Sequence, residues 1–171
     1  MRIEVVDGDA GWGLVEPLDR EVYPPEVMAT VPWRDVTWAR ADKRVVVSDE
    51  EGVRCHVGVF WREGTFDRQS VRLAGIGGVM TSAGVRRKGY ASGALREAAR
   101  LMSERGSDFG LLFCEPHNEP FYGTLGWTCF NGEVWAEQPE GRVRFDIMRA
   151  LCLPVLMAPK LGVIDLCGLP W

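Results

Sequence analysis

GIGGVMTSAGVRRKGYASGALREAARLM, residues 75–102, changes its period halfway, and that change decides the fold. Up to Thr81 the run reads as the end of an alternating strand that begins at Ser70. From Gly89 onward Ala91, Ala94, Leu95, Ala98, Ala99 and Met102 fall at helical spacing, with Arg96, Glu97, Arg100 and Glu104 opposite them and Gly106 as the stop. Between strand and helix, glycines bracket Arg86, Arg87 and Lys88. Glycines there let backbone N–H groups point outward, and a helix N-terminus adds positive potential, so the loop suits an anion. The same turn also occurs as a plain strand-to-helix link. A Walker loop is excluded because Gly84-x-x-x-x-Gly89 continues into Tyr90-Ala91, without the lysine and hydroxyl. A Rossmann fingerprint is excluded because Gly75-Ile76-Gly77 reaches Met80 where its third glycine belongs. The spacing that does fit is R-x-x-G-x-A, at Arg86, Gly89 and Ala91.

Outward from this core, three strand-like runs precede the loop: Lys43–Asp49, Val53–Glu63 and Ser70–Thr81, an antiparallel meander. A first helix is expected within 10–23, and the proline-rich 23–33 as an irregular segment. After the long helix come a buried strand at Phe109–Cys114, a short helix near Glu119–Leu125, and two strands around the Pro139–Gly141 turn. The strand–helix–strand unit at 70–114 predicts a right-handed parallel crossover, making the sheet mixed.

Length and composition bound the rest. The 171 residues, 46% hydrophobic and 26% charged, describe one globular domain over 1–171. No basic and apolar leader opens the chain, and no apolar run is long enough to span a bilayer, so no membrane partner is expected. Five cysteines without a C-x-x-C pair fit free thiols in a reducing cytoplasm, and no metal site is expected. A net charge of −4 disfavours nucleic acid and favours a cationic partner. A homodimer is compatible with the sequence.

The stretch GGVMTSAGVRRKGYASGALREAARLM resembles the pyrophosphate-binding motif of the GCN5-related N-acetyltransferases (GNAT), and PFYGTLGW at 120–127 resembles their later tyrosine and Leu-Gly-aromatic turn. The resemblance implies an α/β GNAT fold: a mixed central sheet of about six or seven strands flanked by helices. It implies acetyl-CoA as cofactor, its pantetheine arm along Val79, Met80 and Thr81, and its pyrophosphate on the amides of Arg87 through Ala91 (Lys88, Gly89 and Tyr90 between), with charge from Arg86, Arg87 and Lys88. Tyr122 aligns with the tyrosine that protonates the departing thiolate. CHVGVFWRE at 55–63, the glycine-rich fourth strand, and Trp171 at the tail are further similar to the aminoglycoside 2′-N-acetyltransferases. Against that subgroup, Gly77 stands where a carboxylate is expected, and an aspartate-rich tail is reduced to Asp165.

An aliphatic ammonium must lose a proton before it attacks a thioester. Glu115, emerging from the buried strand seven residues before Tyr122, is the expected base, with a solvated loop carboxylate as the alternative. Asp35 and Asp165, with Trp33 and Trp171, are the expected contacts of a cationic acceptor. His56 reads as a satisfied core histidine, with a proton relay as the alternative. The expectation is acetyl transfer to a primary amine of a small cationic acceptor, aminoglycosides and antibiotic resistance included. A non-catalytic acyl-CoA sensor and a peptide N-acetyltransferase are the rivals.

Overall fold

The computed structural model describes residues 1–171. The long strand β3 (Gly52–Phe66) organises it, because its 15 residues are enough to hold different partners along one edge. Its first half pairs with β2 (Lys43–Asp49), which carries β1 (Arg2–Asp7) outside it. Its far end, Thr65 and Phe66, pairs with β10 (Val163–Asp165), which carries β7 (Glu133–Gln138) and then β8 (Gly141–Arg144). On the other edge stands β4 (Gln69–Thr81), followed by β5 (Phe109–Cys114), β9 (Arg149–Pro154) and the two-residue β6 (Thr128–Cys129). Only β4/β5 and β7/β10 run parallel. The parallel pairing expected of the 70–114 unit is present.

Period-2 alternation divides the sheet into two faces. Val45, Val47, Val57, Val59, Ala74, Ile76 and Leu112 point to one side, where α3 (Tyr90–Glu104) lays Ala94, Leu95, Ala98 and Met102 on them. The short α4 (Glu119–Gly123) completes that layer with Tyr122. On the opposite face α1 (Trp12–Val22) sets Val15 and Leu18 against Val46 and Met80. The rest of that face is covered by the chain's own tail, whose Leu166 and Trp171 join Phe60, Leu73, Phe109 and Leu111.

The sheet has ten strands, more than the six or seven expected. β9 and β10 belong to the chain's own sheet, one wedged between β5 and β6, the other between β3 and β7. Neither carries enough alternating residues to announce itself. The 23–33 segment, expected to be irregular, contains one helical turn, α2 (Pro25–Met28), opened by a proline at its first position. The β3–β4 hairpin turns on Asp67 and Arg68, both at positive φ (47° and 69°), in place of the glycine or asparagine that would have marked it.

The glycine spacing in β4 has a packing cause. Trp171 Nε1 donates to the Leu111 carbonyl at 2.9 Å, and its ring stacks on Phe60 with centroids 5.9 Å apart. A Cβ on Gly75 would lie 2.1 Å from Trp171 Cε2, and one on Gly77 would lie 2.6 Å from the Trp171 carbonyl carbon. The tail thus fills the space that a side chain at position 77 would need. Gly75→Val is expected to cost about 3 kcal/mol through overpacking, read as a lower urea midpoint with unchanged slope. An unchanged midpoint would mean that the tail does not rest on the sheet.

Candidate functional site

The site begins where two strands part. β4 and β5 pair from Leu73/Phe109 to Ile76/Leu112 and no further. Beyond that point β4 stays with β3 up to Thr81, while β5 stays with β9 up to Cys114. The main chain of 77–81 on its β5 side is therefore left without a strand, an edge inside the sheet to which an extended ligand can add. Met80 places its side chain under α1, and Thr81 Oγ1 reaches Cys55 Sγ at 3.4 Å. Any contact that 79–81 make with a ligand thus falls mainly to their backbone.

The loop after β4 is built as an anion cradle. A 3-10 turn at Ala83–Val85 leads into Arg87, a non-glycine residue at φ 62°, and Gly89 at φ 87°. The N–H groups of Arg87, Gly89, Tyr90, Ala91 and Ser92 have no backbone acceptor; the first helical bond is Gly93 N–H to Gly89 carbonyl, 2.9 Å. The Lys88 N–H, expected among the ligand amides, is instead spent on the Val85 carbonyl at 3.3 Å; the free N–H groups that remain around the two positive-φ residues, on a helix start, form a positive nest. Arg86 closes the loop by donating from Nε to the Thr81 carbonyl at 3.3 Å, and Arg87 and Lys88 are exposed. The Tyr90 hydroxyl is committed to Asp49 Oδ2 at 2.9 Å, which leaves the amide role expected of this residue untouched. Its backbone N–H remains in the cradle.

Tyr122 is buried on the α3 face beside the gap. Burial first, then the neighbouring Cys114, Tyr23 and Cys55, push its phenol above the ordinary value, so it stays protonated. Cys114 is pushed up to about 12 by burial and by Glu119, which makes it inert as a nucleophile and disfavours a cysteine-linked intermediate. Glu115 follows at the end of β5, partly exposed, with Oε2 3.7 Å from His117 Nδ1. Its charge also reaches Tyr23 at the end of α1, a residue that the sequence did not single out. Burial, then Asp19 and Glu115, raise the Tyr23 phenol against an opposing effect of Arg86. Tyr23 thereby links the carboxylate at the end of β5, the cofactor loop and Trp33, whose ring it meets edge-on at 6.4 Å.

The four expected acceptor residues do not assemble in one place. Trp33 stands against Tyr23. Trp171 packs beneath the start of the gap, 6.5 Å from Phe113. Asp35 is exposed, 3.5 Å from its neighbour Arg34, and lines a cavity of about 260 Å³ with Val36, Gln138, Arg144 and Phe145. Asp165 lies apart. It pairs with Thr65, seven residues along β3 from the Gly58 that faces Gly77, roughly 23 Å at strand rise. Both its oxygens are occupied, Oδ2 by Arg142 Nε at 2.7 Å and Oδ1 by Cys167 N–H at 2.9 Å. His56 is buried and satisfied by Arg44 and the Gly78 carbonyl. No cluster of three metal-ligating side chains is present.

Gly89 gives the sharpest check on the cradle. No heavy atom lies within 4 Å of a Cβ placed there, so Gly89→Val meets no clash within the fold, only the ~1–2 kcal/mol of a left-handed valine. The added group projects into the ligand space. Coenzyme A affinity is expected to fall at least about thirtyfold by calorimetry while the melting temperature moves only a few degrees. Unchanged affinity would remove the loop from the binding site.

Comparison with known proteins agrees with this geometry. A family profile described as "Acetyltransferase (GNAT) domain" matches residues 19–130, which include the gap, the cradle and Tyr122. No curated protein matches the chain. Among solved structures it is similar to the GNAT family N-acetyltransferase YhbS from Escherichia coli in complex with CoA (TM-score 0.63, 14% identity, covering 96% of this chain and 88% of that one). It is similar as well to a GNAT family acetyltransferase from Brucella melitensis in complex with acetyl-CoA (0.59, 10%, 95% and 94%). A GCN5-related N-acetyltransferase from Kribbella flavida is matched over 77% of this chain (0.56, 17%), which spans only 34% of that longer protein. These likenesses are to the fold at large; none singles out the aminoglycoside 2′ subgroup. With two thirds of its length matched by the profile, the chain belongs to the GNAT acetyltransferase family, whose cofactor is acetyl-CoA.

Proposed function

We propose that the chain transfers the acetyl group of acetyl-CoA directly to a primary amine of a small cationic acceptor, within a ternary complex. The observation that carries this reading is the gap beyond Ile76/Leu112, with free amides at its loop end and a buried, protonated phenol beside it. The pantetheine arm adds to the open edge of 79–81, and the pyrophosphate rests on the cradle. Arg86, Arg87 and Lys88 screen its charge.

In the reaction the amine nitrogen attacks the thioester carbonyl carbon. The amine proton passes to Glu115, directly or through water, and the C–S bond breaks as the carbonyl re-forms. Tyr122 donates its proton to the departing sulfur. Much of the rate comes from holding amine and thioester in register.

The acceptor class follows from what lines the approach. Tyr23 and Trp33 present aromatic surface, Glu115 supplies a carboxylate whose charge reaches Tyr23, and the chain carries a net charge of −4. These suit an amine that is cationic overall, such as a polyamine or an aminoglycoside. A thiol-release assay with acetyl-CoA against aminoglycosides, polyamines and N-terminal peptides tests this. Amine-dependent release is expected for the small cations, and Tyr122→Phe should slow it by about a hundredfold while cofactor affinity is kept. Cofactor binding without release for any amine would replace the enzyme by an acyl-CoA sensor, and release for the peptides alone would move the acceptor class to protein termini.

A further inference from the structure

Two of the few buried polar side chains, Arg44 and His56, lie together between the sheet and α1. Arg44 donates from Nε to the Gly8 carbonyl at 2.6 Å, stands 5.0 Å over the Trp12 ring, and places Nη1 3.1 Å from His56 Nε2. His56 Nδ1 is 2.7 Å from the Gly78 carbonyl oxygen. A guanidinium only donates, so Nε2 is the acceptor and Nδ1 carries the hydrogen that bonds Gly78. One neutral tautomer is thereby fixed. Burial first, joined by Arg44 and opposed by the Gly78 bond, holds the imidazole down to about 4. With both nitrogens committed, this histidine is no proton shuttle.

Its partner sits at the one irregularity of β4. Register is lost between His56/Met80 and Gly58/Gly77, so Gly78 and Val79 together oppose Val57. The Ser82 N–H to Arg54 carbonyl bond at 2.8 Å makes that pair hydrogen-bonded, and alternation makes His56/Met80 the next such pair. Gly78 and Val79 therefore fall where the main chain turns away from β3. Gly78 has φ 56°, the left-handed region, with the His56 ring against it. In a trans peptide the N–H points opposite to the C=O. The carbonyl held by His56 thus sends the Val79 N–H the other way, out of the ladder.

We propose that His56, braced by Arg44, is a positioning residue for acetyl transfer: it locks the Gly78–Val79 peptide so that the Val79 N–H faces the β4–β5 gap as a donor to the thioester carbonyl oxygen. As the amine attacks, that oxygen gains negative charge, and a donor fixed beforehand in a water-poor cleft contributes where the charge develops. The bulge supplies the donor, the glycine permits the peptide orientation, and the Arg44–His56 pair holds it there.

The inference rests on the transfer reading, and the test separates the two. Isotope-edited infrared spectra of [¹³C-carbonyl]acetyl-CoA bound to the wild type should show the carbonyl band shifted to lower wavenumber than in the free cofactor. His56→Asn keeps an amide donor near the Nδ1 position and should retain the shift. His56→Gln reaches only towards the Nε2 position; it should lose the shift and fall about thirtyfold in kcat, with cofactor affinity by calorimetry within about threefold. A residue that merely supports the fold predicts the same outcome for both variants, so equal retention or equal loss overturns the proposal. Wild-type binding without a shift overturns it alone, and no wild-type binding overturns the transfer reading with it.

Discussion

A strand can follow only one neighbour at a time, and β4 and β5 follow different ones. β3 holds β4 along nearly its whole length, and β9 holds β5 from Phe109 to Cys114. The two inner strands share only four paired positions before they part at Ile76/Leu112. Every functional feature depends on that parting. It exposes backbone in the middle of the sheet, brings the helix start of α3 to the end of the opening, and lets α4 seat Tyr122 beside it. A cofactor with an extended arm and a charged end matches that shape.

The glycines of 75–89 look alike in the sequence and have three separate causes. Gly75 and Gly77 make room for the tail and its indole on one face. Gly78 turns a peptide out of the ladder, against His56. Gly89 opens the helix with its amides free. Only the last was legible beforehand, because its effect is local: a turn, a helix start and neighbouring cations. The absence of a carboxylate at 77 follows from the first cause, since the tail backbone occupies that space.

Legibility divides along the same line. α3 and β5 were readable to within a residue or two because their periodicity is carried by neighbours in sequence. β9, β10 and the docking of Trp171 depend on contacts between distant segments, which no local pattern encodes. Asp165 looked free to meet a cation, but β8 supplies Arg142, 23 positions earlier in the chain, and neutralises it. His56 was rightly a satisfied core residue, yet its brace Arg44 is visible only once β2 and β3 are in register. Tyr23 was missed because its neighbours Glu115 and Arg86 come from elements that meet only in the fold.

Hydrogen exchange with and without acetyl-CoA tests the parted-strand account most directly. Binding should slow exchange at the amides of 78–81 and 87–92 and leave β7 and β8 unchanged. Protection that instead appears at the far end of β3 and β10, or nowhere along β4 and the start of α3, would contradict it.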